Sequence, residues 1–234
     1  MARSREYKWE HFDETARFHG LIYGANTARM AVVGLGAGEL LVVSPGRSVR
    51  DGRFEEMAAW GKPRFLLAPN HFHWAGIRQW KERFPEVTVV AHPTAFRRLR
   101  KKMPEIEIQD LSALTAALPQ GVRVFGPAMA KQGETWISVK TGQGTAWFVT
   151  DALINEEELP GGALGLLMRA LGFRTGLINN PFFRRFFLKG RSEYREWLLA
   201  ELDRDKPVLF VPSHGTVLRG AEVHAQLRAV VEKL

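Results

Sequence analysis

The stretch Phe65-Leu-Leu-Ala-Pro-Asn-His71-Phe-His73-Trp-Ala-Gly76 sets two imidazoles one residue apart, directly after a short apolar run. Residues 65–68 have the length and composition of a buried strand. Pro69-Asn70 stops it, because proline lacks the N–H that a central strand donates. In extended backbone, residues i and i+2 project to one side, so both rings can reach one ion. Imidazole is a common metal ligand near neutral pH. Two more polar residues follow strand-like runs: Asp151 after residues 145–150, and His214 after residues 207–211. Loops at strand ends are a frequent place for site residues in α/β folds. Imidazole and carboxylate there suit zinc, iron or manganese, and such an ion acidifies a bound water.

The elements that must carry these residues are legible in the hydrophobic pattern. Residues 19–24 and 29–34 are rich in strand formers. Gly34-Leu-Gly36-Ala-Gly38 joins two β-branched runs and predicts a hairpin. Its spacing, with a strand following, is not that of a dinucleotide-binding loop. Helices are predicted over 53–60, 76–84 and 93–103, alternating with strands over 65–68 and 87–91, as in βαβ connections. Strands over 121–125, 135–139 and 145–150 predict a second, antiparallel unit with a turn at Gly142-Gln-Gly144. Residues 156–191 are expected to form a helical insertion or lid. Within them, Pro181-Phe-Phe-Arg-Arg-Phe-Phe187 suits a packed insertion, a lid, a dimer contact or a lipid-facing patch. A helix over 192–202 with Ser192 as N-cap, a strand over 207–211 and a helix over 221–234 complete the pattern.

The 234 residues are ample for one large domain with a sizeable core. There is no cysteine, which excludes disulfides, thiolate metal sites and a cysteine nucleophile. The first ten residues are charged throughout, unlike a secretory leader, and no long uncharged apolar run is present. A soluble, cytoplasmic protein is expected. The net charge of +8 favours anionic partners: a small anionic substrate, nucleic acid or an acidic membrane surface. The excess is concentrated in residues 97–102 and 184–191, which can equally be solvated faces. No Gly-x-Ser-x-Gly elbow supports a serine hydrolase.

In its order of features the chain resembles the metallo-β-lactamase superfamily. An N-terminal hairpin precedes a strand ending in a His cluster and a β-α pair. An antiparallel unit ending in Thr150-Asp151 and a strand ending in His214 follow. The resemblance spans residues 17–234 and implies one α/β (α+β) domain, a four-layer αββα sandwich with mixed sheets and a metal site between them. The hallmark His-x-His-x-Asp-His is present only in part, in either of two registers. In one, Asn70-His71-Phe-His73 matches the opening, and Ala75-Gly76 replaces Asp-His. In the other, Gly76 matches the glycine after the motif, Pro69 and Trp74 replace histidines, and His73 stands for the aspartate. Glu134 in Gly133-Glu134-Thr135 stands where the family has a histidine, Asp151 matches its bridging aspartate, and His214 its final histidine.

The resemblance therefore implies metal ligands drawn from His71, His73, Glu134, Asp151 and His214, with Asp151 and His214 catalytic. It implies one divalent ion, or none. Two functional readings follow. One is a metal-dependent hydrolase of an ester, thioester or phosphoester with an incomplete site. The other is a non-catalytic relative whose basic helices bind nucleic acid, a membrane surface or a protein.

Overall fold

Apolar runs whose side chains alternate between two buried faces build both sheets of this protein. In β3 (Ala28–Gly36), Met30 and Val32 pack on one side, and Ala31 and Val33 on the other. β4 (Glu39–Val43) and β5 (Lys62–Ala68) divide their residues in the same way. A strand covered on both faces reads as a continuous apolar run, which is why these segments were legible. The computed structural model describes residues 8–24 and 28–234. The charged residues 1–7, on which the expectation of no leader partly rests, lie outside the described residues.

The first sheet runs in chain order. β1 (Trp9–Asp13), β2 (Phe18–Tyr23), β3 and β4 pair antiparallel, then β5, β6 (Thr88–Ala91) and β7 (Gln109–Asp110) continue in parallel. Parallel neighbours need crossovers, here α1 (Asp51–Ala58), α2 (Ile77–Arg83) and α3 (Pro93–Lys102). These helices cover the outer face through Phe54, Met57, Trp80 and Leu99. A short α4 (Leu111–Thr115) leads to the second sheet. There β8 (Val122–Phe125), β9 (Trp136–Thr141) and β10 (Gly144–Val149) are antiparallel.

β11 (Leu153–Glu156) pairs with β12 (Gly176–Asn179) as a separate ribbon, with α5 (Gly162–Ala170) between them. A π-helical turn (Phe183–Phe187) and α6 (Arg191–Asp205) follow. β13 (Leu209–Pro212) lies parallel to β10, β14 (Leu218–Arg219) ends that sheet, and α7 (Val223–Val231) ends the described elements. Phe18, Leu41, Leu67, Ile137, Phe148 and Val211 fill the space between the sheets. α6 and α7 close the outer face of the second sheet over Trp147 and Phe210. The layers are thus helix, sheet, sheet, helix, and both sheets of the core sandwich are mixed, as expected.

Some local expectations need correction. Residues 156–191 are not wholly helical, since β12 pairs within them and the aromatic run forms a π-helical turn. Ser192 lies inside α6, whose N-cap is Gly190 in the left-handed region. β1 and α4 carried too few regular apolar residues to be predicted.

Candidate metal centre

Four loops converge at one edge of the sandwich, each leaving the C-terminal end of a strand. Ser44 follows β4, Asn70 to His73 follow β5, Asp151 follows β10, and Ser213 to Gly215 follow β13. His73, Asp151 and His214 bring one nitrogen or oxygen each to within 4.8 Å of one another. The Asp151 Oδ1 atom lies 3.1 Å from His73 Nε2 and 3.3 Å from His214 Nε2. Nδ1 of His73 is held by Ser44 Oγ at 2.7 Å, so Nε2 is the atom turned to the centre. That arrangement is the usual support of a ligating imidazole, whose far nitrogen is fixed by an outer partner. Ser44 is itself held by the Tyr23 hydroxyl at 2.9 Å and has φ 55, an uncommon conformation for serine.

The backbone on either side of His73 and His214 is tightly fixed. Arg29 is buried on β3 and donates to the carbonyls of Pro212 and Gly215, while its amide donates to the Ser213 carbonyl. The Asn155 amide donates to the His214 carbonyl from the other side. Gly215 has φ +96, and a Cβ there would lie 2.0 Å from the Asn155 carbonyl oxygen. Gly76 is equally constrained, since its Cβ would meet the Pro45 and Gly46 carbonyl oxygens at 2.2 and 2.3 Å. Both loops therefore need glycine for close backbone approach.

Glu134 lies beneath the three converging residues but outside their group. Its Oε1 accepts from Trp136 Nε1, Thr150 Oγ1 and the amides of Asp151 and Ala152. Its Oε2 accepts from Asn70 Nδ2 and Gln132 Nε2. A carboxylate offers about four lone-pair sites, so these six donors saturate it. Asn70 Nδ2 also donates to Asp151 Oδ2 at 2.9 Å, linking the two carboxylates. His71, too, stands apart from the group: its Nε2 faces Arg98 at 3.4 Å, and its ring packs edge-on against Phe72 and Phe187.

The electrostatics follow from these contacts. Burial disfavours charge on His73, but the charge and hydrogen bond of Asp151 outweigh it and raise the imidazole pKa. Burial alone would raise Asp151; His73 and His214 instead hold it well below the usual carboxylate range. Glu134 is pushed up by burial and by the neighbouring Asp151 charge, against the pull of its donors. His71 is lowered to about 4 by burial and by the Arg98 guanidinium, so it is neutral at pH 7.

Above the centre opens a cavity of about 640 Å³. Phe72, Phe182, Phe183 and Phe187 form an apolar wall, while Tyr23, Arg47, Gln132 and Asn180 supply polar atoms. Oε1 of Gln132 is buried there without a hydrogen-bond partner. Asn180 donates to the Asp151 carbonyl and accepts from the Phe182 amide, which ties the aromatic turn to the centre. Sequence reasoning missed Ser44, Tyr23, Arg47, Asn70 as a donor, Gln132 and Asn180. Ser44 alone carried the signal used for the others, a polar residue directly after an apolar strand. One further group, His11, Glu14 and His19 on the β1–β2 hairpin, also brings ligand atoms together, at the opposite flank of the first sheet from β5.

No protein-family profile matches the chain, and no curated protein sequence matches it. Solved structures do. The DIM-1 metallo-β-lactamase is similar with a TM-score of 0.60 at 14% identity, over 97% of this chain and 98% of that one. The metallo-β-lactamase FIM-1 from Pseudomonas aeruginosa, in a mono-zinc form, gives 0.58 at 12% identity over 97% and 95%. The Flv1 flavodiiron core from Synechocystis gives 0.62 at 11% identity, over 97% of this chain and 60% of that one. The layer order, the strand-end loops and these similarities agree: the chain has the metallo-β-lactamase fold.

Proposed function

We propose that this protein is a metal-dependent hydrolase with a single-ion centre built from His73 Nε2, Asp151 Oδ1 and His214 Nε2. The convergence of those three atoms at the floor of the cavity carries the reading. Two imidazole nitrogens and one carboxylate oxygen suit zinc, iron or manganese, and the Ser44 contact leaves His73 Nε2 free to bind. An ion held there supplies Lewis-acid polarisation of a substrate oxygen and an acidified water. Asp151 keeps its charge and stands against both imidazoles, Ser44 orients the His73 ring, and Asn70 fixes the second Asp151 oxygen. Glu134 is a structural acceptor that holds the Asp151 loop through its amide rather than a fourth ligand.

Gly76 supports the register in which it matches the glycine after the motif, because no larger residue fits against the Pro45 and Gly46 carbonyls. His73 then occupies the aspartate position of the motif. The mixed lining points to an ester, thioester or phosphoester with an anionic group near Arg47 and an apolar group against the phenylalanines.

A panel of chromogenic carboxylic esters, thioesters and phosphodiesters, assayed with added zinc, manganese or iron, tests the reading. At least one class should be hydrolysed, and Asp151→Asn and His214→Ala should each lower kcat/KM by about a hundredfold or more. Hydrolysis indifferent to both substitutions, or none with any metal, favours the non-catalytic reading.

A further inference from the structure

The large hydrophobic side chains that the described residues leave exposed are not scattered. Leu164, Leu166, Leu167 and Leu171 lie on α5 and directly after it, with Leu166 67% and Leu164 58% exposed. Phe182 and Phe186 lie on the aromatic turn, and Phe72 lies beside the metal centre. The pieces connect. Gly172 packs on Pro181 with its Cβ position 3.6 Å from the proline ring, which brings the end of α5 to the start of the turn. From Phe182 the rings continue to Phe186 at 4.9 Å and Phe187 at 5.6 Å, and from Phe187 to Phe72 at 5.2 Å. The exposed leucines of α5 and the aromatic rings that reach the cavity mouth are thus joined through the Gly172–Pro181 contact.

Helix α5 is apolar almost all round, with Arg169 its one charged residue, yet it is buried only at Gly165. A helix of that composition belongs in an apolar environment, and water is a poor one for it. The charge beside it selects the kind of environment. Residues 156–193 contain six basic side chains against four glutamates, and the glutamates stand at the two ends, at 156–158 and 193. Arg169, Arg174, Arg185, Lys189 and Arg191 are exposed. Leucine and phenylalanine rimmed by arginine and lysine is the composition of surfaces that lie in the headgroup region of acidic membranes. No helix among the described residues is long and apolar enough to cross a membrane, so the face would rest on the bilayer without spanning it.

We propose that α5 and the Phe182–Phe187 turn dock this protein on an anionic lipid bilayer, with the cavity mouth at the membrane plane. Co-sedimentation of the full chain with phosphatidylcholine vesicles, with and without phosphatidylglycerol, tests it. The chain should pellet with the phosphatidylglycerol vesicles at low salt and be released by high salt. The double substitution Leu166→Glu, Leu167→Glu should lower the bound fraction by about tenfold or more. Both leucines lie outside the cavity, so hydrolysis of a short soluble ester should be unchanged in that variant, which separates loss of docking from loss of catalysis. Should the leucine variant melt early, Arg184→Glu with Arg185→Glu should weaken binding to the anionic vesicles only. Failure of the native chain to pellet with anionic vesicles overturns the proposal, as does binding that neither variant reduces. A native dimer in sedimentation, dissolved by the leucine substitutions and without affinity for vesicles, would assign the face to a second copy instead.

Discussion

Glu134, which the family resemblance sets at a ligand position, accepts six hydrogen bonds, two of them from the backbone of the Asp151 loop. Glu134→Gln would turn an NH2 toward those donors and leave at least one buried group unpaired. A loss of about 3 kcal/mol in urea unfolding is expected. Ser44→Ala would free the His73 ring to rotate, and metal affinity measured by competition with a chromogenic chelator should fall about 10- to 100-fold. Acid sensitivity should come in part from His19, buried against Trp60 and lowered from 6.5 to about 4, chiefly by burial. The folded state keeps it neutral where the unfolded chain takes a proton, so this contribution is full above pH 6.5 and is lost as pH falls toward 4. Up to about 3 kcal/mol is at stake, and His19→Gln should flatten the pH dependence of the unfolding midpoint across that window. At this scale the residues that converge were legible in the sequence and their hydrogen-bond partners were not. His73, Asp151 and His214 announced themselves by chemistry and by position after apolar runs. Ser44 and Asn70 act through contacts between segments 29 and 81 residues apart, which no local pattern encodes.

Among the elements, the loops that carry His73 and His214 are held by close backbone approach. Gly76→Ala would force a Cβ onto two carbonyl oxygens and displace the 70–76 loop. The expected cost is about 1–3 kcal/mol, read as a lower Tm, together with weaker metal binding through His73. The central strands were legible because burial on both faces makes them unbroken apolar runs. Their helices were legible from periodicity, and observed bounds such as Ile77–Arg83 and Pro93–Lys102 lie within a residue of the expected ones. The π-helical turn at Phe183–Phe187 and the β11–β12 ribbon were not legible. Both depend on Asn180, whose side chain reaches across to the Asp151 carbonyl and whose amide donates to that of Ala152.

Across the whole molecule, two sheets close over one apolar core so that the C-terminal ends of β4, β5, β10 and β13 meet at a single edge. That meeting gathers His73, Asp151 and His214, the proposed ligands, from segments about sixty to eighty residues apart into one centre, beneath a cavity walled by Phe72, Phe182, Phe183 and Phe187. Elemental analysis of the chain purified without chelator is the most direct test of that centre. About one equivalent of a divalent transition metal is expected in the native protein, lost in His73→Ala and in Asp151→Ala but retained in His71→Ala. Less than about a tenth of an equivalent in the native protein, or equal metal content in all four proteins, would contradict it.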